Sequence, residues 1–493
     1  MRFLQEYKLF INGELLESSD GETFDDINPA TLELIGKIHK ASEEDVKSAV
    51  DSAEEAFDSW SGTPAPQRAK ILFRAARMLE ERKEELSRLL TTEMGKVLKE
   101  ARGDVQEAID ITYYAAGEGR RLLGETTPSE LPDKFCMTVR RPIGVIGLIT
   151  PWNFPIAIPA WKIMPALISG NTLVLKPASD TPVMAIELVK ILTEAGLPKG
   201  VLNLVTGGGS TVGSAIVHNK KIRAVSFTGS LETGKWILGE AGKEMKRVSL
   251  ELGGKNPIIV MDDADLNLAI DGIIWGAFGT TGQRCTAASR VIAHEKILPD
   301  LLKKLIERTK KLRLGNGLDK NTDVGPVINN SQLQKIAKYV DIGKNEGAKL
   351  ALGGRIVHPL PGYFFEPTIF ADVAPDMRIA REEIFGPVVS LLGAGDLEEA
   401  IRIANSVEYG LSSSIYTGNI KNAFKAIEKI DAGITYINAS TIGAEIHLPF
   451  GGVKSTGNGT REAGTTAIEE FTELKTVYID YSGKLQKAQI DVE

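Results

Sequence analysis

The chain has 493 residues, of which 43% are hydrophobic and 25% are charged, and its formal net charge at pH 7 is -7. This composition argues against intrinsic disorder, and the interspersed lysines and acidic residues argue against a nucleic-acid groove or a membrane-binding face. The length allows two or three domains with substantial cores.

Cysteine use and the apolar segments predict a cytoplasmic protein. Cys136 and Cys285 are the two cysteines, so one disulfide at most can form, which is typical of a reducing compartment. The first residues, MRFLQEYKLF, carry charges and no long apolar run, so no secretory signal is predicted. Residues 143–175 are apolar apart from Lys162, but prolines interrupt them repeatedly, and we interpret this stretch as buried strand, loop and helix.

The N-terminal part of the chain is predicted to combine short strands with a layer of helices. Asn12 and Gly13 are typical of a hairpin turn, and Ser42, which acidic residues follow, is expected to precede a helix. Helical periodicity then continues from residue 66 to about residue 121.

Two separate segments alternate apolar and polar residues like strands. Residues 124–141 break the helical pattern with prolines and an alternating run, in which Cys136 is interpreted as structural. Residues 474–481, LKTVYIDY, alternate in the same way and are predicted to form an edge strand. Because an exposed edge strand is an aggregation hazard, we expect it to pair with another subunit.

Two runs of alternating strands and helices predict the α/β fold class. From residue 143 to residue 250 the alternation is regular, which predicts a parallel sheet with crossover helices, typical of a dinucleotide-binding domain. A second alternation begins at residue 256 and is interpreted as a catalytic domain. It includes a predicted helix at 266–278 and a predicted strand near 289–294.

Cys285 and Glu251 are the residues that suggest covalent chemistry. Cys285 lies in a polar, glycine-bearing loop, TTGQRCTAASR, although a free cysteine is more often an inert buried residue. Glu251 ends the apolar strand of VSLELGGKNP. A cysteine and a distant glutamate on separate glycine-rich loops suggest a nucleophile with a general base, whereas a bland interpretation makes Glu251 a strand-end cap.

Two glycine-bearing turns are candidates for binding a dinucleotide. TGGGSTVG at 206–213 lies between a strand and a helix, but Val212 stands where GxGxxG has its third glycine, so a simple turn is an equal alternative. FTGS at 227–230 also follows a strand and opens a helix. Lys176, at the carboxyl end of a strand, lies where open α/β sheets bind ligands.

Seven strings, each a weak match alone, occur in an order that resembles the aldehyde dehydrogenase superfamily over nearly the whole chain. They are TPWNFP at 150–155, LKPASDTP at 175–182, SFTGS at 226–230, LELGGKNP at 250–257, GQRC at 282–285, EEIFGPV at 382–388 and PFGGVKSTGNGTRE at 449–462.

The resemblance implies the domain organisation and assembly of that family. It implies a Rossmann-like dinucleotide-binding domain, an α/β catalytic domain and a small β extension for oligomerisation. We therefore expect a homotetramer built as a dimer of dimers. The implied boundaries are 1–123 and 142–251 for the dinucleotide-binding domain, 252–450 for the catalytic domain, and 124–141 with 470–493 for the oligomerisation segment.

The resemblance also implies the reaction, oxidation of an aldehyde to the free carboxylic acid. The Cys285 thiolate would attack the carbonyl to form a thiohemiacetal, which passes hydride to the nicotinamide and becomes a thioester. Asn153 and the Cys285 amide would stabilise the oxyanion, although Asn153 could equally belong to a plain turn. Glu251 would activate the hydrolytic water, which disfavours acyl transfer to coenzyme A. No metal is expected, since the histidines show no ligand spacing.

The cofactor is expected to be NADP in preference to NAD. By resemblance Lys176 holds the adenine ribose, and NAD-preferring members commonly carry Glu three residues later. This chain has Ser179 there, which removes the repulsion of a phosphate and can donate a hydrogen bond. The cofactor contacts implied by the resemblance are Ile149, Thr150, Pro151, Trp152, Asn153, Lys176, Ala178, Ser179, Gly209, Gly213, Phe227, Thr228, Gly229, Ser230, Thr233, Leu252, Gly253, Glu383 and Phe385.

The substrate pocket is less strongly indicated. Arg284 is a candidate clamp for a substrate carboxylate, with Glu107 as a partner that holds it, or else it orients backbone carbonyls. The apolar positions that align with the family's pocket are Phe154, Ile158, Trp161 and Phe450, each of which could also be plain packing.

The subfamily resemblance indicates which aldehyde is the substrate. The chain is similar to 2-oxoglutarate semialdehyde (2,5-dioxopentanoate) dehydrogenases, and its C-terminal part also looks like the antiquitin-type dehydrogenases of 2-aminoadipate semialdehyde. A broad-range aldehyde dehydrogenase is a further alternative. From other classes, a cofactor-independent thiol esterase and a binding protein that has lost activity stay open. No nucleic acid or membrane partner is expected.

Overall fold

The computed structural model describes residues 5–490. The predicted segments at residues 1–4, in the dinucleotide-binding domain, and 491–493, in the oligomerisation segment, lie outside the described residues. The two large sheets each have seven strands, and two smaller three-stranded sheets flank them.

The first large sheet is the predicted parallel sheet with crossover helices. Five parallel strands form it, and the hairpin at Asn12 and Gly13 adds two antiparallel strands at one edge, which confirms that turn. Both turn residues have positive φ, 51° and 77°, as a tight hairpin requires. In spatial order the strands are Arg247–Glu251, Ile222–Thr228, Val145–Ile149, Thr172–Lys176, Leu202–Leu204, Leu9–Ile11 and Glu14–Leu16.

The chain order reverses direction across this sheet beside the strand Val145–Ile149. Open α/β sheets bind ligands at such a switch point, beyond the carboxyl ends of the strands, so residues 150–153 begin where a ligand is expected. The helices of this unit are Ala157–Ser169, Pro182–Glu194, Ser214–His218 and Leu231–Gly242, with a π-helical turn at Gly209–Gly213.

The first N-terminal helix packs against this sheet, and the next three pack against its crossover helices. Ser42 precedes the first helix, as predicted, with a complete capping box: its hydroxyl accepts from the Asp45 N–H at 3.2 Å and its own N–H donates to the Asp45 carboxylate at 2.9 Å. The helices are Glu43–Gly62, Ala65–Glu81, Lys83–Met94 and Leu98–Glu118. The small N-terminal sheet contains Glu6–Tyr7, Leu34–His39 and Thr23–Ile27.

The apolar stretch 143–175 lies in the protein core. Its helix Ala157–Ser169 is buried on every side except at Ile158, which explains its uniform hydrophobicity without a membrane. Within residues 5–490, no helix is long and apolar enough to cross a membrane.

The second large sheet is parallel except at one edge, where Lys349–Leu352 pairs antiparallel with its neighbour. Its strands in spatial order are Lys349–Leu352, Thr368–Ala371, Val388–Ala394, Ala288–His294, Asn256–Val260, Ser412–Tyr416 and Ile434–Ile437. Its helices are Leu266–Phe278, Leu298–Thr309, Asn330–Asn345, Arg378–Arg381, Leu397–Asn405 and Ile420–Lys429.

The predicted extension is a three-stranded antiparallel sheet. Lys134–Pro142 pairs along its full length with Thr472–Asp480, and Thr126–Thr127 adds a short third strand. Leu474 and Tyr478 are largely exposed on the edge strand. Both predicted strands are confirmed, whereas their role in assembly stays a prediction.

The residues after 450 return to the first sheet. Gly457 forms a bridge with Glu251 at the end of the sheet's edge strand, and the Asn458 side chain accepts from the Leu250 N–H at 3.0 Å. The short helix Thr466–Glu470 then packs against Ala157–Ser169. The predicted domain boundaries remain a prediction. Thr228, at the carboxyl end of a strand in the first sheet, and Cys285, in the turn before Ala288–His294, line the same cavities.

Candidate active site

The turn that carries Cys285 has an unusual backbone that side chains hold in place. Thr280 and Thr281 have positive φ, 50° and 58°, a conformation that non-glycine residues rarely adopt. The Glu100 carboxylate accepts from the Thr280 N–H at 2.9 Å, and the Gln283 side chain accepts from the Ile328 N–H at 3.0 Å. The strained turn is therefore fixed before any ligand binds.

The Cys285 thiol faces the space between the two sheets. Burial, and then the neighbouring Glu251 carboxylate, raise the pKa of Cys285 to about 12. The thiol is therefore protonated near neutral pH, and a nucleophilic role requires a base that removes its proton during attack.

Glu251 is buried and its carboxylate has no direct partner. The residue is 2% exposed, and neither carboxylate oxygen has a hydrogen-bond partner among residues 5–490. Burial, and then the charge of Glu462, raise the pKa of Glu251 well above its ordinary value. A buried carboxyl without a partner destabilises a fold, so its presence indicates function.

A buried ion pair behind Glu251 joins Lys162 to Glu462. The Lys162 ammonium also donates to the Ser226 hydroxyl at 2.9 Å. Neither residue was predicted to be functional. The position of Lys162 in an apolar stretch did indicate a buried ion pair, because a lone lysine there must find a buried counter-charge.

Asn153 lies against the catalytic turn. One of its amide N–H groups donates to the Gln283 carbonyl at 3.1 Å, which leaves the second amide proton for a ligand. The Lys96 ammonium donates to the main-chain carbonyl of Asn153 at 2.7 Å and forms a buried ion pair with Asp104 at 2.8 Å. Lys96 and Asp104 were also missed, since nothing in the local sequence marks them.

One cavity of about 610 Å³ brings together all the residues predicted to bind substrate. Trp161 and Phe450 form part of its apolar wall, with an edge-to-face contact at 5.2 Å. The residues that line the cavity are Glu107, Phe154, Ile158, Trp161, Thr228, Glu251, Leu252, Arg284, Cys285, Thr286, Gly443, Ala444, Phe450 and Glu462.

The prediction that Glu107 holds Arg284 is wrong. Arg284 pairs with Glu100 at 3.4 Å and donates to the Thr280 hydroxyl at 2.9 Å, and its guanidinium lies 5.3 Å from the centre of the Phe154 ring. Glu100 and Glu107 lie two turns apart on one face of the helix Leu98–Glu118, so the sequence pattern could not separate them.

Glu107 instead faces the cavity as a separate acidic group. Among residues 5–490 its carboxylate makes no hydrogen bond or ion pair, and it is half-buried. Burial, and then the charge of Asp104, raise the pKa of Glu107 to about 7. Its charge therefore changes near neutral pH.

A second cleft, of about 660 Å³, also reaches Cys285. Trp152 and Phe385 face each other there edge to face at 5.3 Å, and the Glu383 carboxylate accepts from the Gly254 N–H at 2.9 Å. The lining comprises Pro151, Trp152, Asn153, Ile158, Thr228, Gly229, Ser230, Leu252, Gly253, Cys285, Gln332, Lys335, Glu383 and Phe385. Gln332 and Lys335 were not predicted, because their helix carries no recognised motif.

The remaining predicted cofactor residues cluster at the carboxyl ends of the first sheet. The Thr150 N–H donates to the Lys176 carbonyl at 3.1 Å, and Ile149 pairs with both Lys176 and Phe227 across the strands. Ser230 precedes the helix Leu231–Gly242 and accepts from the Thr233 N–H at 3.3 Å. Ala178 lies in the turn between Lys176 and Ser179, and Gly209 and Gly213 bound the π-helical turn.

Lys176 and Ser179 lie beside the glycine turn at 206–213, in a position suited to bind an anion. Burial lowers the pKa of Lys176 to about 8, and its ammonium donates to the neighbouring Pro177 carbonyl at 3.0 Å without an ion pair in the described part of the chain. Its side chain lies against Gly213, and the Ser179 hydroxyl donates to the Gly207 carbonyl at 3.0 Å. A buried lysine without a carboxylate fits a phosphorylated, dinucleotide ligand. Within residues 5–490 no cluster of metal-ligating side chains occurs.

The comparisons with known proteins agree with this geometry. The model of the aldehyde dehydrogenase family matches residues 16–477. Alpha-ketoglutarate semialdehyde dehydrogenase of Haloferax volcanii is 45% identical over 479 residues, covering 96% of this chain and 99% of the relative. 2,5-Dioxopentanoate dehydrogenase of Saccharolobus solfataricus is 46% identical over 462 residues, covering 93% and 96%.

Solved structures show the same fold. Betaine aldehyde dehydrogenase of Staphylococcus aureus in complex with NAD+ superimposes with a TM-score of 0.95 at 38% identity, covering 98% of this chain and 97% of that structure's chain. With the family model, the relatives and the fold in agreement, the chain belongs to the aldehyde dehydrogenase family and is an NAD(P)-dependent aldehyde dehydrogenase.

Proposed function

We propose that this enzyme oxidises the semialdehyde of a 2-oxo acid, 2,5-dioxopentanoate, to 2-oxoglutarate, with Cys285 as the nucleophile and NADP as the preferred cofactor. The observation that carries the substrate is the Arg284 guanidinium in the wall of the cavity that holds the Cys285 thiol. Relatives named for the same semialdehyde, at 44–46% identity, support it.

The first step is attack of the Cys285 sulfur on the aldehyde carbon. Glu251, in the same cavity, accepts the thiol proton, and its raised pKa makes its carboxylate a stronger base. The developing oxyanion is stabilised by the free amide proton of Asn153 and by the Cys285 N–H. Each such donor contributes about 3 kcal/mol of transition-state stabilisation.

A nicotinamide dinucleotide would supply the hydride acceptor when bound. Glu383, Phe385 and Trp152, which line the second cleft together with Cys285, would hold it there. The thioester on Cys285 is then hydrolysed by water that Glu251 deprotonates. In the Lys162–Glu462 pair behind Glu251, the Glu462 charge raises the pKa of Glu251 more than the Lys162 charge lowers it, so the pair favours proton uptake by Glu251.

Arg284 is suited to hold the far carboxylate of the substrate. Glu100 and Thr280 each take one of its N–H groups, so the remaining donors of the planar fork are free. Phe154 fixes the plane of the guanidinium. A carboxylate bound there is oriented by hydrogen bonds rather than by charge alone.

The preference for NADP rests on Ser179. Its hydroxyl reaches the Gly207 carbonyl, so it lies beside the glycine turn and near the buried Lys176. A neutral hydroxyl and a lysine are compatible with a phosphate on the ribose, whereas a carboxylate at the position of Ser179 would repel that phosphate.

We also propose a cytoplasmic homotetramer, a dimer of dimers. The edge strand Thr472–Asp480 carries exposed Leu474, Tyr478 and Ile479, and Tyr481 follows it. Apolar side chains on an open edge favour strand pairing between subunits.

Oxidation of 2-aminoadipate semialdehyde is the second candidate. Glu107 favours it, because a free carboxylate opposite Arg284 could bind an amino group while Arg284 binds the carboxylate. The charge of Glu107 near pH 7 separates the two candidates.

The nucleophile and the base are predicted to give different defects. Cys285→Ala should abolish both the initial burst of reduced nicotinamide and steady turnover, because no thioester forms. Glu251→Gln should retain a burst, but a slower one because the thiol proton must then pass to water, and should lower steady turnover about 100-fold, since a general base typically contributes that factor. Stopped-flow absorbance at about 340 nm, the band of reduced nicotinamide, distinguishes the burst from steady turnover. Full steady turnover in either variant contradicts the assignment.

Arg284→Ala is predicted to weaken turnover of the oxo acid selectively. With NADP, kcat/KM for 2,5-dioxopentanoate should fall about 30-fold, since a charge-assisted contact contributes about 2 kcal/mol, while kcat/KM for pentanal stays within about twofold. Wild-type enzyme should prefer the oxo acid.

Arg313→Ala removes an exposed arginine that pairs with Asp323 and serves as the matched control. Equal losses for both aldehydes in Arg284→Ala would make Arg284 structural. Equal or better turnover of pentanal by the wild type would reduce the substrate proposal to a broad-range aldehyde dehydrogenase.

Ser179→Glu is predicted to reverse the cofactor preference. The ratio of kcat/KM for NADP to that for NAD should fall at least about tenfold, because a carboxylate beside a phosphate is repelled by more than about 1.4 kcal/mol. Ser59→Glu adds the same charge on an exposed part of the helix Glu43–Gly62 and should leave the ratio unchanged. An unchanged ratio in Ser179→Glu refutes the role of this position.

Glu107 is predicted to make oxo-acid turnover depend on pH. Its pKa is raised to about 7, so it is neutral below pH 7 and repels an anionic substrate above it. The ratio of kcat/KM for 2,5-dioxopentanoate to that for pentanal should fall about fivefold between pH 6 and pH 8 (about 1 kcal/mol). The ratio cancels the titration of Cys285 and Glu251.

Glu107→Gln should make this ratio independent of pH, whereas Asp110→Asn, on the exposed side of the same helix, should not. With 2-aminoadipate semialdehyde as the substrate, the ratio should instead rise with pH, because the ionised carboxylate would attract the amino group. A rise with pH in the ratio of kcat/KM for 2-aminoadipate semialdehyde to that for pentanal would favour the second candidate, oxidation of 2-aminoadipate semialdehyde.

A further inference from the structure

Asn256 makes three hydrogen bonds at the back of the catalytic turn. It is 1% exposed and begins the strand Asn256–Val260. Its amide nitrogen donates to the carbonyls of Cys285 at 2.7 Å and Ala287 at 2.9 Å, and its amide oxygen accepts from the Ser412 N–H at 2.9 Å. Two acceptors and one donor fix the orientation of the amide group.

The backbone alone does not hold these carbonyls. The pairing with the strand Ala288–His294 shifts register between Asn256 and Pro257, and proline has no N–H to donate. The Asn256 side chain supplies donors at this interruption. A buried carbonyl without a donor would otherwise carry a desolvation penalty.

The hydrogen bond from the Asn256 amide constrains the Cys285 peptide. The Ala287 N–H donates to the Arg284 carbonyl at 3.1 Å, which closes a tight turn around Cys285. A Cβ added at Gly254 would lie 2.4 Å from the Cys285 carbonyl oxygen, so the loop that follows Glu251 also packs against this peptide. The direction of this carbonyl therefore sets where the Cys285 side chain points.

We propose that Asn256 is a positioning residue, which orients Cys285 for attack by holding the Cys285 carbonyl. The proposal rests on the proposed role of Cys285 as the nucleophile. Asn256 lines neither the substrate cavity nor the second cleft, and it acts through the peptide that follows Cys285. Because a small misplacement of a reacting atom slows attack strongly, removal of the amide should slow acylation more than it weakens binding.

The test compares Asn256→Ala with a matched control, Asn203→Ala. Asn203 is equally buried and has the same pattern of bonds: it donates to the carbonyls of Leu173 and Gly200 and accepts from the Asn12 N–H, but it lies in the first sheet, away from Cys285. Both variants lose one buried amide, so they should lose similar thermal stability. Their acylation kinetics should differ.

Asn256→Ala is expected to lower the burst rate constant with saturating pentanal and NADP at least about tenfold, with the dissociation constant for NADP within about twofold. Tryptophan fluorescence, through Trp152 in the cofactor cleft, measures that dissociation constant. Asn203→Ala should keep the wild-type burst rate. Asn256→Ser, whose hydroxyl can donate one hydrogen bond, should recover part of the rate and serves if the alanine variant does not fold.

A wild-type burst rate in folded Asn256→Ala overturns the proposal, as does an equal loss in Asn203→Ala. Cys285→Ala separates this failure from failure of the proposed function. A burst that persists in Cys285→Ala removes the nucleophile itself, whereas a burst lost in Cys285→Ala but normal in Asn256→Ala removes only the positioning role.

Discussion

The turn that carries Cys285 depends on buried polar side chains of several helices and strands, which form hydrogen bonds with its backbone. Glu100 binds Thr280, Gln283 binds Ile328, and Asn256 binds the Cys285 carbonyl. Each bond adds about 1 kcal/mol when made, and its loss leaves a buried group that destabilises by about 1–3 kcal/mol. Because losing a bond costs more than making it adds, these bonds keep a turn that contains two threonines with positive φ in its conformation. They thereby also fix the position of the thiol between the two sheets.

The same enclosure that orders the turn also sets the protonation of the site. Burial raises the pKa of both Cys285 and Glu251 and so opposes a negative charge on either group. When the ionised Glu251 carboxylate accepts the thiol proton as attack begins, one negative charge moves from oxygen to sulfur, and no new charge is created in a poorly solvated space. The Lys162–Glu462 pair is the compensated charge that remains nearby.

Much of the fold could be predicted from local pattern, because hydrophobic periodicity and caps act over short distances. The Asn12–Gly13 hairpin, the Ser42 cap and the helix Leu266–Phe278 are examples. Cys285 and Glu251 stood out in the sequence because reactive residue types lay in glycine-rich loops. The resemblance to a family then supplied most of the other site positions.

The contacts that sequence could not supply are long-range ones. Glu100 and Glu107 share a helix face, so only the three-dimensional structure could show which one reaches Arg284. The partner of Lys162 lies 300 positions further along the chain, and no local pattern links the two. Asn256 is an ordinary polar residue at a strand start until the register shift beside it is seen.

The return of residues 451–470 to the first sheet has a consequence for biosynthesis. Glu462 lies in this returning segment, and its partner Lys162 lies in the buried helix Ala157–Ser169. A chain that folded without Glu462 would contain Cys285 and Glu251 but would carry an uncompensated lysine in its core, which is strongly destabilising. We therefore expect the complete site to form only once the chain has been synthesised as far as Glu462.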